Sequence, residues 1–169
     1  MISCHYCRVD KPGFNLIFNS REIQKKFIAL DIPEEFYEGY LGFSGYWQSL
    51  EFLIRGDNYL NSSLDSMSPI LGGHLFSKTD EIWFDFGPMR YFEPNEVQDI
   101  LKFLHKNSSD VLLSRYDPVK MAQNDIDPAY WEEDTTYFLE VICEIYTDLV
   151  SLFQAAFEHH QYVILYAIA

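Results

Sequence analysis

The chain has 169 residues, with 26 Asp plus Glu against 12 Lys plus Arg for a formal charge of −14, and 48% of its residues are hydrophobic and 17% aromatic. That apolar content excludes a disordered chain despite the charge, and a single domain of this length buries roughly 70% of its unfolded surface without disulfides or a structural metal. The acidity excludes direct nucleic-acid binding, because phosphates require a basic face.

The first eight residues lack a basic segment followed by an apolar core, so no secretory signal is expected and a cytoplasmic location is. Residues 3–9 read as a strand closed by the turn signal Asp10-Lys11-Pro12-Gly13. Residues 21–30 read as a helix with Ile23, Phe27 and Leu30 on one face. A short helix over 33–40 follows, and Gly42 and Gly45 mark a loop. Residues 46–55 place Trp47, Leu50, Leu53 and Ile54 at helical spacing, with Gly56 where a C-terminal cap belongs. Residues 58–80 are irregular and long enough for a loop with a role of its own. The run Ile82-Trp83-Phe84-Asp85-Phe86 is strand-like and resumes at Arg90-Tyr91-Phe92.

Pro94 opens a helix whose buried stripe is Val97, Ile100, Leu101 and Leu104. Ser108 or Ser109 caps the next, and Asp117-Pro118 and Asp127-Pro128 repeat an acidic cap followed by proline. Residues 132–160 read as one long helix whose core face is Phe138, Val141, Ile142, Ile145, Leu149, Leu152, Phe153 and Ala156. Residues 162–168 form a terminal strand, and the apolar run there is far too short to span a bilayer, so no membrane association is expected. The expected fold class is α+β: one compact domain over 1–169, mainly helical, with a small sheet from N-terminal, central and C-terminal strands.

Cys4 and Cys7 spell C-x-x-C, but a zinc site needs a second ligand pair, and a redox pair belongs at a helix start. On a strand, residues three apart point to opposite faces, so both read as small core or edge residues. Cys143 reads as a buried thiol on an apolar helix face, and the odd cysteine count fits a reducing compartment. Neither a metal nor a cofactor is expected.

The landmarks form an ordered set: Trp47 with Leu50-Glu51-Phe52-Leu53-Ile54-Arg55-Gly56, Pro69-Ile70-Leu71-Gly72-Gly73, Gly87-Pro88-Met89-Arg90-Tyr91-Phe92-Glu93-Pro94-Asn95-Glu96-Val97, Tyr116-Asp117-Pro118 and Trp131-Glu132-Glu133-Asp134. In this the chain resembles the YfbM-like family of small uncharacterised bacterial proteins over nearly its whole length. It departs at Glu51, where the family pattern has histidine, and at Glu93, where serine commonly caps the helix. The resemblance implies a compact α+β fold and a bacterial cytosolic setting. Small acidic families of this kind also include immunity partners of secreted toxins.

No residue set carries a catalytic signature: phosphate-binding loops, nucleophile elbows and zinc-protease motifs are absent from the sequence. One candidate pocket combines Gly72, Gly73 and His74 with Arg90 and Tyr91, since glycines admit close backbone approach and arginine clamps carboxylate or phosphate. The competing reading makes Arg90 a structural ion-pair partner of Asp85 or Glu93, and His74 a loop residue. His159 and His160, at a helix end, suit interaction with its last carbonyls.

Charge is concentrated at the C-terminal end, where residues 111–169 hold ten carboxylates and two cations, a net −8. Glu140, Glu144 and Asp148 recur every fourth residue opposite much of the apolar stripe, with Glu133 and Asp134 at the helix start and no lysine or arginine on the helix. Each like-charge neighbour pair costs roughly 0.2 to 0.5 kcal/mol on an isolated helix. The row is either a solvated face or one whose repulsion a basic partner relieves. The leading reading is a non-enzymatic acidic binding domain, an immunity protein inhibiting a basic toxin, with Tyr130 and Trp131 as aromatic anchors beside the acids. Two alternatives stand beside it: a small-molecule-binding protein or enzyme using the Gly72 to Tyr91 pocket, and a homodimer whose acidity only maintains solubility.

Overall fold

The structure, a computed structural model, describes residues 2–56, 68–70, 72–76, 89–126 and 134–168. Strand β1 (Ser3–Val9) lies near the middle of a five-stranded antiparallel sheet with β2 (Gly39–Ser44), β3 (His74–Leu75), β4 (Arg90–Phe92) and β5 (Tyr162–Ile168), in the order β2-β1-β5-β4-β3. Side chains of a strand alternate between faces, so β1 sends Cys4 and Tyr6 into one core and Cys7 and Val9 into another. β5, paired with β1 along its length, does the same with Val163 and Leu165 against Ile164 and Tyr166. Burial on both faces is why β5, Tyr-Val-Ile-Leu-Tyr-Ala-Ile, is a nearly continuous apolar run, while β1 buries cysteine, tyrosine, histidine and valine.

Helices cover both faces. On one side lie α1 (Lys11–Asn19), which supplies Phe14 and Ile17, and α2 (Arg21–Ile28), which supplies Phe27. On the other lie α3 (Trp47–Arg55), α4 (Pro94–Lys106), α5 (Ser109–Ser114), α6 (Pro118–Gln123) and α7 (Thr135–Glu158). α7 packs on α4 and passes along β2, and the Tyr146 hydroxyl donates to the Leu104 carbonyl. Phe92 meets Phe153 edge-on at 5.9 Å, tying the sheet to α7. The architecture is α+β, and among the described residues no helix is long and apolar enough to cross a membrane.

Several expectations need correction. Asp10-Lys11-Pro12-Gly13 opens α1: the Asp10 carboxylate accepts from the Gly13 amide at 2.7 Å and Pro12 sits in the first turn. Leu30 is not on the α2 face; α2 ends at Ile28, and Leu30 stands 53% exposed at φ 54°, closing the helix end with the Asp31 amide bonded to the Lys26 carbonyl. Only Glu34–Phe36, a 3-10 turn, is helical between 33 and 40, and Gly42 lies in β2. The long helix begins at Thr135 with Asp134 as its cap. Cys143 is half-buried. The histidines after α7 are both exposed, His160 adopting φ 52° as the helix closes. The run 82–86 and the Asp127-Pro128 signal lie outside the described residues.

The other expected elements are in place, including the α4 stripe and the α3 cap, where Gly56 takes φ 65°. Cys4 and Cys7 are free, buried and on opposite faces, and burial pushes both thiols up to about 12, so they remain protonated core residues.

Candidate protein-interaction site

α7 starts cleanly because the Asp134 carboxylate accepts from the Tyr137 amide at 3.0 Å, which makes Asp134 a helix cap. From there Phe138, Ile142, Ile145, Leu149, Leu152, Phe153 and Ala156 are buried while Glu140, Glu144 and Asp148 are exposed. Among the described residues none of these three carboxylates makes an ion pair. Glu133, Tyr130 and Trp131 lie outside the described residues, so the aromatic anchors of the expected site are not located.

The acidic row is not uniform. At about 100° per residue, Glu144 is rotated by about 40° and Glu140 by about 80° from Asp148 around the helix axis. Asp148 turns towards β2, where with Ser151, Leu152 and Ala155 it lines a cleft of about 390 Å³ whose other wall is Arg8, Gly39, Tyr40 and Leu41. Glu140 faces open solvent. One aromatic that sequence reasoning passed over belongs here: Tyr137 is 59% exposed, and at about 100° per residue it, Val141 and Glu144 all fall within about 40° of Asp148 around the helix axis. The spacing 137, 141, 144, 148 is a second helical stripe beside the core stripe, legible once the core face is fixed.

Of the five residues of the alternative pocket, Gly73, His74 and Tyr91 lie together, whereas the Arg90 side chain points to the other face of the sheet. β4 alternates, so Arg90, opposite Leu165, and Phe92 point to the α4–α7 side of the sheet, whereas Tyr91, opposite Ile164, points to the α1–α2 side. His74 pairs with Tyr91 across β3 and β4, with its ring 5.3 Å from the tyrosine's and its Nε2 2.7 Å from a Glu96 carboxylate oxygen. Gly73 is needed for backbone packing: at φ 92°, a Cβ would stand 2.8 Å from the Tyr91 carbonyl oxygen. Arg90 makes no ion pair among the described residues, and burial lowers its pKa. The expected partner Glu93 is instead engaged at the start of α4, where its amide donates to Glu96 at 2.8 Å. Asp85 lies outside the described residues.

A sequence-family profile described as a domain of unknown function (DUF1877) matches residues 2–166. The chain belongs to this family. Among solved structures it is similar to YfbM from Escherichia coli, a protein of unknown function, with a TM-score of 0.67 and 16% identity over 98% of this chain and 99% of that one. At that identity the likeness establishes the fold. No curated protein matches the chain.

Glu51 has a structural setting that sequence reasoning did not supply. α3 is enclosed from Ser49 to Ile54, and Glu51, fully buried, is paired with Arg55 at 3.1 Å. The Ser68 hydroxyl lies 3.0 and 2.9 Å from its two oxygens and also accepts from the Ile70 amide, while the Tyr6 hydroxyl donates to the Pro69 carbonyl. This polar cluster pins residues 68–70 to the sheet and α3. Its carboxylate is fully engaged, and its charge adds to burial in holding the Cys4 thiol protonated. No group of three or more metal-ligating side chains occurs among the described residues.

Proposed function

We propose that the chain is a non-enzymatic protein-binding domain that receives a basic protein partner on the exposed face of α7. The observation that carries this is the row Glu140, Glu144 and Asp148: three solvent-facing carboxylates on a helix with no cation, none of them paired among the described residues. Such a row repels itself in the free protein, and a cationic partner both relieves that repulsion and is steered to it at long range. The finer reading is an immunity protein in the bacterial cytoplasm that inhibits a secreted toxin acting on nucleic acid or nucleotides. A toxin of that class carries a basic face to hold phosphates, and an acidic helix competes for the same face.

The test is co-purification with the product of the neighbouring gene, followed by reversal of Glu140, Glu144 and Asp148 to lysine. A complex whose affinity falls with added salt and with reversal supports the reading. Unchanged affinity after reversal, with no salt dependence, removes it. The small-molecule alternative has no comparable support, since the sheet separates Arg90 from Tyr91 and His74.

A further inference from the structure

We propose that the outer edge of β2, together with the cleft between β2 and α7, is a docking site for an extended segment of the partner that pairs with β2 as an added strand and directs lysine or arginine side chains to Asp148 and Glu144. The proposal rests on the acidic-face reading and specifies how the partner binds.

The edge is open. Among the described residues β2 pairs only with β1, and the Gly45 amide bonded to the Ile2 carbonyl at 2.9 Å fixes the phase of that ladder. Gly45 and Ile2 are opposite each other, so Phe43, Leu41 and Gly39 also direct their peptide groups to β1, and Tyr40, Gly42 and Ser44 direct theirs outward. All three outward residues are exposed. Sheet edges are ordinarily blunted by lysine, proline or an inward charge, and Gly39–Ser44 has none of these. A row of unpaired backbone donors and acceptors recognises another extended backbone.

The α7 wall of the cleft selects what that backbone carries, since Arg8 on the other wall already donates to Gln161 Oε1 and the Glu38 carbonyl. The ring contact between Tyr46 and Phe138, and the cleft that joins Asp148 and Ala155 to Gly39 and Leu41, set α7 alongside β2 in the opposite direction. A strand added to β2 presents alternate side chains to α7 about 6.7 Å apart, and Glu144 and Asp148 are separated by about 6 Å of helical rise. Cations at alternate positions therefore match the two carboxylates one to one. On the opposite face the added strand would lie beside Tyr40 and Ser44, which suits neutral residues. A second copy of this chain is a poor occupant, because pairing two β2 edges would set acidic α7 rows beside each other on a molecule of charge −14.

The experiment uses the whole chain and an alternating lysine–threonine octapeptide, read by fluorescence anisotropy at low salt and by amide exchange. Binding is expected to slow exchange at Tyr40, Gly42 and Ser44 and to weaken about tenfold or more on Asp148→Lys with Glu144→Lys. Two N-methylated versions separate backbone pairing from charge: methylation of one alternate set of nitrogens is expected to abolish binding, and of the other set to leave it intact. Equal effects of the two sets, or no binding at all, overturns strand addition. If strand addition fails in this way but a basic protein partner still dissociates on reversal of Glu140, Glu144 and Asp148, the function proposed above stands and only the edge is wrong. If neither peptide nor partner responds to reversal, both fall.

Discussion

Glu51 and the row Glu140, Glu144 and Asp148 place the same functional group in opposite surroundings. Glu51 lies in a helix enclosed on all sides, and Arg55 and Ser68 occupy its carboxylate. The α7 carboxylates stand in solvent on a helix without a cation. The internally paired acid has spent its interaction capacity on holding residues 68–70 in place, so it contributes to stability and offers nothing to a partner. The exposed acids contribute nothing to the core and keep their capacity for an external cation. The bulk charge of −14 conceals this division.

The comparison can be broken at its buried end first. Glu51→Ala removes the carboxylate from an Arg55 side chain that is only 10% exposed, and is expected to destabilise the fold by about 3 to 5 kcal/mol in urea denaturation. A loss below about 1 kcal/mol would show that the cluster is dispensable and that Glu51 is no different in kind from the surface acids. Next in size, Gly73→Ala should cost more than about 1 kcal/mol, because the residue would need both a positive φ and space already filled by the Tyr91 carbonyl. It should leave partner binding unaltered, since Gly73 lies away from α7.

A smaller effect is expected from His5, which is buried against Tyr40 and Tyr166, its Nε2 without a hydrogen-bond partner among the described residues. Burial lowers its pKa below the ordinary value of about 6.5. The unfolded chain therefore binds the proton more readily than the folded one, so stability rises with pH across the window and is lost as pH falls below about 6.5 towards the folded value. Melting temperature is expected to drop between about pH 7.5 and 5.5, and less so in His5→Gln, which lacks the titrating ring. Identical pH profiles would exclude His5 as the source. The smallest change in stability belongs to the exposed end of the comparison: Glu144→Lys converts two repulsive neighbours into attractive ones and should raise stability by a few tenths of a kcal/mol at low salt.

The sequence showed most clearly the elements whose residues serve one purpose. The stripes of α4 and α7 are core positions at helical spacing, and β5 is a continuous apolar run because both its faces are covered. The start of α1 reads equally as a turn because an aspartate cap, proline and glycine mark both a turn and a helix start, and Asp10-Lys11-Pro12-Gly13 satisfies either. β2 was missed because its glycines resemble a loop, whereas Gly39 and Gly42 make room for the Arg8 side chain and for the Tyr40 ring reaching His5. At the candidate site, the acidic row was legible from its spacing alone. The cleft was not, because it joins residues over a hundred positions apart, and neither was the division of Arg90 from Tyr91, which requires β4 to be recognised as two-faced.

The most direct test of the acidic face measures the affinity of the complex with the neighbouring gene product at low and high salt, for the native chain and for the variant carrying Glu140→Lys, Glu144→Lys and Asp148→Lys. The expected result is binding that weakens about tenfold or more on reversal at low salt, with a shallower salt dependence in the variant. Equal affinities and equal salt dependence in the two proteins would contradict the assignment of α7 as the interaction face.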